Sequence, residues 1–207
     1  IAITTIVFNR TAMVFAGEDG IAAVSIIMYL QFLCIGIYFG FSMGLAPPLS
    51  YAYGDHRYDV CRVLERYAHR FLCVAPFVMY VATYLLAPIG VSFFAQRDSV
   101  VYTMAVWGMR LYGMGFLFSG VNIFSAIRMM AYGKGYFSGL ITFLRSFALL
   151  LLFLIVLPRF WGMNGIWLAV PAAEILTLIV ALGFLLFFPK TLKQTKAEMN
   201  LQSADEN

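Results

Sequence analysis

The chain has 207 residues, of which 62% are hydrophobic and only 12% charged, and its mean hydropathy is +0.86. Water-soluble domains run at about 45–50% apolar and about 25% charged, so these values rule out an ordinary soluble globule and make lipid the solvent for much of the chain. The net charge of +4 does not point to nucleic acid, because the basic residues fall in short connectors between apolar runs.

Crossing the hydrocarbon core takes about 20 apolar residues at about 1.5 Å rise each. The chain opens inside an apolar run, IAITTIVFNRTAMVFAG, with no basic leader and no cleavage site. Residues 1–16 therefore read as a truncated helix, and the chain is expected to be the C-terminal part of a longer protein. Asn9 and Arg10 are its amide and its charged residue. A turn at Gly17, Glu18, Asp19 and Gly20 leads into a full span at about 21–49. Gln31 lies near the middle of that span, placed either to contact a substrate or to hydrogen-bond a neighbouring helix. Gly36, Gly40 and Gly44 recur every four residues and form a helix-packing strip that admits close approach. Pro47 and Pro48 are expected to break the helix.

The connector GDHRYDVCRVLERYAHR is longer than a turn. Arg62, Arg66 and Arg70 repeat at i, i+4 and share the basic face of an amphipathic helix. That face is expected to meet anionic headgroups, to couple neighbouring spans, or only to fix topology. Spans at about 71–95 and 101–127 follow. Arg110 and Asn122 sit twelve residues apart in the second of these, near a whole number of turns. They are expected to face roughly the same way and, with Gln31, to line a substrate cavity. Spans at about 138–158 and 165–188 come next, then a polar tail at 189–207 expected to be disordered. The fold expected is an all-α integral membrane bundle of five full transmembrane helices and one truncated.

An isolated charge at mid-span costs about 2.5–3.5 kcal/mol on insertion scales. Glu174 lies about nine residues past Gly165, near the midplane. It must be protonated, pair with a cation such as Arg110, or line a wet cavity. A structural carboxylate is the preferred reading over an ion-coupling one. Orientation follows the basic residues. Arg57, Arg62, Arg66, Arg70, Arg128, Lys134, Arg145, Lys190, Lys193 and Lys196 fall on one side, against Arg97 and Arg159 on the other. The first side, and with it the C-terminus, is expected to be cytoplasmic in a multi-pass protein of a cell inner membrane.

Cys34, Cys61 and Cys73 form no CxxC pair and read as small apolar residues of the spans, not as a metal site. No Ser/His/Asp or HExxH arrangement is present, GKGYFSG has the wrong spacing for a P-loop, and no cofactor is expected.

Three stretches carry a family resemblance. GLAPPLSYAYGDHRYDVCRVLERYA resembles the Gly-x-x-Pro-Leu-Ser…Gly element of MATE (multidrug and toxic compound extrusion) exporters. MRLYGMGFLFSGVNIFSAIRMMAYGKGYFSGLITFLRSF is similar to their tenth helix, its connector and the start of the eleventh. LPRFWGMNGIWLAVPAAEIL is similar to the loop into the twelfth, with Pro171 and Glu174 in place. The resemblance covers about residues 17–188. It implies twelve helices in two lobes of six, of which this chain would be the second. The missing N-terminal lobe would then be its principal partner, beside membrane lipids. It also implies export of cationic or amphipathic small molecules in exchange for sodium ions or protons, from a cavity between lobes that rock to alternate access. Some members hold a cation with acids on the seventh and tenth helices. Residues 1–16 and the run from Val101 to Met130 carry none, so coupling is expected to rest on the missing lobe. The alternatives are a lipid-linked oligosaccharide flippase of the same superfamily, which needs several converging cations, and a non-transporting membrane scaffold.

Overall fold

A computed structural model describes the backbone of residues 2–205 and the side chains of residues 3–184; the end of the polar tail, 206–207, lies outside the described residues. The described chain is helical throughout, apart from short turns. The run Ala2–Gly54 is broken at Gly17 (φ 62°, ψ −147°) into α1 (2–16) and α2 (18–54). The break is a reversal. A Cβ on Gly20 would lie 2.8 Å from the carbonyl oxygen of Ala12, whereas eight residues of straight helix would separate the two by about 12 Å.

Four further helices follow: α3 (Tyr58–Ser92), α4 (Val100–Ala131), α5 (Gly135–Trp161) and α6 (Met163–Asp205). The hairpin device recurs between α5 and α6. Gly162 takes φ 54°, and a Cβ on Gly165 would overlap the backbone of Leu157, again eight residues back. In both Gly-x-x-Gly turns the first glycine supplies the left-handed conformation and the second clears the returning helix. The two turns lie at the same end of the bundle, with Phe15 within 3.8 Å of a Cβ built on Gly162. Tyr53 and Tyr132, whose rings are 4.7 Å apart, bring the 55–57 and 133–134 connectors together at the other end.

Five helical runs are long and apolar enough to cross a membrane. The one at Val100–Ala131 is the centre, 72% buried where its neighbours range from 11% to 56%. Glycines let it be surrounded. Gly108 meets Ile27 of α2 and Trp167 of α6, Gly113 meets Thr83 of α3, Gly115 meets Val170 and Pro171 of α6, and Gly120 meets Tyr38 of α2 and Leu72 of α3.

The structure corrects two expectations. Pro47 and Pro48 do not end α2, which runs on to Gly54. Each removes one N–H, but in lipid the alternative is a whole turn of unpaired backbone, so the helix persists. The long connector contracts to residues 55–57, because the segment bearing Arg62, Arg66 and Arg70 is helical and runs without a break into α3, as the first part of that span. The helical bounds of α6 run to Asp205. Among the described residues no atom lies within 4 Å of a Cβ built on Gly36, Gly40 or Gly44, and each glycine is exposed.

These contacts set an expected order of sensitivity. Gly165→Ala should destabilise the protein by about 1–3 kcal/mol, the usual cost of forcing atoms into a packed contact. Gly139→Ala, where the Cβ meets open space, should be neutral or slightly stabilising. Thermal unfolding of the two variants in detergent checks this, and equal midpoints would contradict the reading of the turn.

Candidate functional site

Glu174 lies eleven residues into α6, about 17 Å along its axis and near the middle of a hydrocarbon layer about 30 Å thick. It is 3% exposed. Its Oε1 accepts from Arg145 Nε at 2.6 Å and from Ser119 Oγ at 2.8 Å. Its Oε2 accepts from Asn122 Nδ2 at 2.7 Å, and the same amide donates to the Glu174 backbone oxygen at 2.9 Å. Three helices thus converge on one carboxylate.

Local backbone geometry delivers each donor. Ser119 and Asn122 are three residues apart on α4 and share a face. Arg145 sits in a π-helical segment, Leu144–Ala148, inside α5. The wider turn there departs from the regular 3.6-residue phase, a departure often found where a side chain has a specific task. Asn122 Oδ1 is buried without a partner, leaving one acceptor open beside the pair.

The cation on Glu174 is therefore Arg145 and not Arg110. The sequence pattern puts Arg145 with the basic residues of the cytoplasmic side, but it lies ten residues into α5, about 15 Å from its start. The same signal that singled out Glu174, a charge inside an apolar run, marks Arg145 equally.

The three proposed cavity residues are not brought together. Gln31 Oε1 accepts a hydrogen bond from Tyr112 of α4, so it fastens two helices. Asn122 is wholly buried against α6 and lines no open space. Arg110 turns instead to α3, its guanidinium 4.7 Å from the centre of the Tyr84 ring, and its Nε is buried with no partner. Arg110 and Asn122 were expected to face the same way. Twelve residues at about 100° each overshoot three turns by about 120°. The 3-10 turn at Gly113–Gly115 adds about 60° more. The side chains accordingly leave α4 on nearly opposite sides. A cavity of about 330 Å³ does lie between α2 and α3, but its walls, including Leu30, Cys34, Met79, Thr83 and Met109, are almost wholly apolar.

A second polar cluster sits at the end that carries Lys134. Arg62, Arg66 and Arg70 are exposed there. Glu65, between them in sequence, turns inward and pairs with Arg128 of α4, and Tyr132 donates to Glu65 Oε1 at 2.6 Å. Burial first, and then the bond to Glu65, push the Tyr132 phenol above its ordinary range and keep it a neutral donor. Arg128 and Arg145 each hold their own carboxylate, so they do not join Arg110 in a cationic cluster.

The comparison that decides the lineage is with protein families: the MatE family model matches residues 2–156. The chain belongs to the MatE family. Solved MATE structures share its fold. An inward-facing multidrug resistance MATE family transporter of the MOP superfamily aligns with TM-score 0.86 at 18% identity, over 94% of this chain and 45% of that one. A MOP superfamily transporter from Pyrococcus furiosus aligns with TM-score 0.84 at 17% identity, over 93% and 43%. A variant of the Vibrio cholerae MATE transporter VcmN aligns with TM-score 0.81 at 20% identity, over 93% and 43%. The chain thus spans less than half the length of the MATE transporters it matches. Among curated proteins, none matches its sequence.

Breaking one side of a buried pair costs about 3–5 kcal/mol, because it strands the other charge. Glu174→Gln should lower stability by that order. Adding Arg145→Met should recover at least 1–2 kcal/mol, which a double-mutant cycle on thermal or denaturant unfolding measures. Additive losses would show that the two groups do not depend on each other.

Proposed function

We propose that this chain is the second six-helix lobe of a secondary active exporter. In this reading the exporter moves cationic or amphipathic small molecules outward against entry of sodium ions or protons. The observation that carries the reading is the MatE match over residues 2–156, together with a fold that follows one half of transporters described as multidrug resistance MATE proteins. The missing partner is then an N-terminal lobe of the same protein, and the shared cavity lies between the two. The basic end, with Arg57, Arg62, Arg66 and Lys134, is the cytoplasmic one and meets anionic lipid headgroups, and the C-terminus lies on that side. The protein is not an enzyme in this reading and uses no cofactor.

The paired state of Glu174 supports a structural role. All three of its donors come from within this lobe. A coupling acid must bind and release its cation during each cycle, so coupling falls to the other lobe.

The full-length protein in proteoliposomes should move a fluorescent amphipathic cation when a sodium or proton gradient is imposed. Glu174→Gln, normalised to folded protein, should keep the dependence on that ion within about twofold. Absence of gradient-driven movement in the wild type would overturn the exporter reading. Loss of ion dependence in a folded Glu174→Gln protein would move the coupling site into this lobe.

A further inference from the structure

We propose that the start of α3 forms a discrete site for one anionic phospholipid, with the phosphate on Arg66 and Arg70 and an acyl chain on the apolar face below them. This deepens the assignment of the basic end to anionic headgroups, and rests on it. Helix length sets the depth. The stretch of α3 from Phe71 to Ser92 is about 33 Å long, against a hydrocarbon layer about 30 Å thick. Arg70 then stands at the edge of the hydrocarbon and Arg66 about 6 Å outside it, at the level of lipid phosphates.

Arg66, Arg70, Val74, Phe77 and Val81 follow one another at helical spacing, so they form one stripe along α3. Each is exposed in its own right. The stripe is cationic at headgroup level and apolar beneath, which is the order of an anionic lipid's own parts. Glu65, between Arg62 and Arg66, is turned inward onto Arg128 and does not neutralise it. Asp59 lies about 10 Å further out along the helix. Arg62 donates to the Tyr58 backbone oxygen at 3.3 Å, and the Arg70 guanidinium rests 6.0 Å from the centre of the Tyr67 ring. Among the described residues neither Arg66 nor Arg70 has a carboxylate partner. Their forks, one turn apart, can both donate to one phosphate.

A notch of about 100 Å³ opens beside Arg70, between α3 and α4. His69 and Cys73 are exposed at its rim, and Phe124, Ser125 and Arg128 are buried in its floor. His69 Nδ1 donates to the Glu65 backbone oxygen at 2.6 Å, and its ring meets the edge of Phe124, so Nε2 is left to the rim. The volume is that of about three waters, room for a small glycerol headgroup. A zwitterionic headgroup would bring its own cation against the arginines. A soluble oxyanion would meet the arginines but leave Val74 and Phe77 uncovered. A phospholipid meets both.

The test uses the full-length protein in detergent, with dioctanoyl phosphatidylglycerol and dioctanoyl phosphatidylcholine as probes and native mass spectrometry as the readout. One phosphatidylglycerol should bind at least tenfold more tightly than phosphatidylcholine. At roughly fivefold per arginine, the pair Arg66→Gln and Arg70→Gln should weaken phosphatidylglycerol at least tenfold. Phosphatidylcholine binding and the melting temperature should not move, because both side chains are exposed. Arg57→Gln should change phosphatidylglycerol binding by less than about twofold, and inorganic phosphate should not displace it. If Arg57→Gln weakens the lipid as much as the pair does, the attraction is diffuse: the discrete site is overturned and the reading of the basic end stands. If the wild type does not prefer phosphatidylglycerol, both are overturned. Displacement by inorganic phosphate would make this a site for soluble oxyanions and overturn the lipid assignment. No gradient enters the measurement, so its outcome is independent of whether the protein exports.

Discussion

A carboxylate in the middle of a bilayer has no water to fall back on, and the arrangement of this lobe depends on how Glu174 is satisfied. Its two oxygens take donors from α4 and α5 while its own backbone belongs to α6. Apolar packing alone does not fix which helix sits beside which in a membrane, since lipid tails are as apolar as leucine. A carboxylate that needs donors at fixed positions does fix it. The glycines of α4 work with this constraint. They bring α2, α3 and α6 close enough that one central helix touches all of them.

The pair also explains why the irregular turns fall where they do. The 3-10 turn at Gly113–Gly115 lies directly before Ser119 and Asn122, and the π segment at Leu144–Ala148 contains Arg145. Each shifts the phase of its helix next to a residue that must point at Glu174. A regular helix would have met the apolar packing requirement equally well. The departures from 3.6 residues per turn are concentrated at the polar contact.

How far the fold was legible follows from the same physics. Run lengths and breakers define the helices because hydrophobicity over about 20 residues is a property of composition alone. The MATE resemblance likewise rests on short stretches readable in order. Helix ends were less legible. Pro47, Pro48 and the polar first turns of α3 look like interruptions, yet a helix already formed in lipid continues through them because its backbone has no alternative partner. The polar partners were least legible. Glu174 announces that it needs a cation, but choosing Arg145 over Arg110 requires the azimuth of each helix, which the two irregular turns alter. Glu65 hides among exposed arginines for the same reason: the face it takes is visible only once α3 is a single helix.

The distribution of charge separates what this lobe does alone from what it leaves open. Glu174 and Glu65 are spent on Arg145 and Arg128, and these pairs are internal. Arg110 and the glycine strip of α2 are the opposite case. The arginine has a donor without an acceptor, and the strip is a smooth helix face with nothing on it. Neither arrangement is comfortable in lipid by itself. An unmet guanidinium is costly, and bare glycines forgo the close packing that usually justifies them in a span. Both become ordinary once another surface covers them. A body that packs on Gly36, Gly40 and Gly44 gains close backbone approach, and one that reaches Arg110 gains a charged contact in a low-dielectric setting. Neither contact would disturb the internal pair at Glu174. The described chain therefore keeps the carboxylates of Glu174 and Glu65 paired inside, while Arg110 and the glycine strip lie outside that internal network.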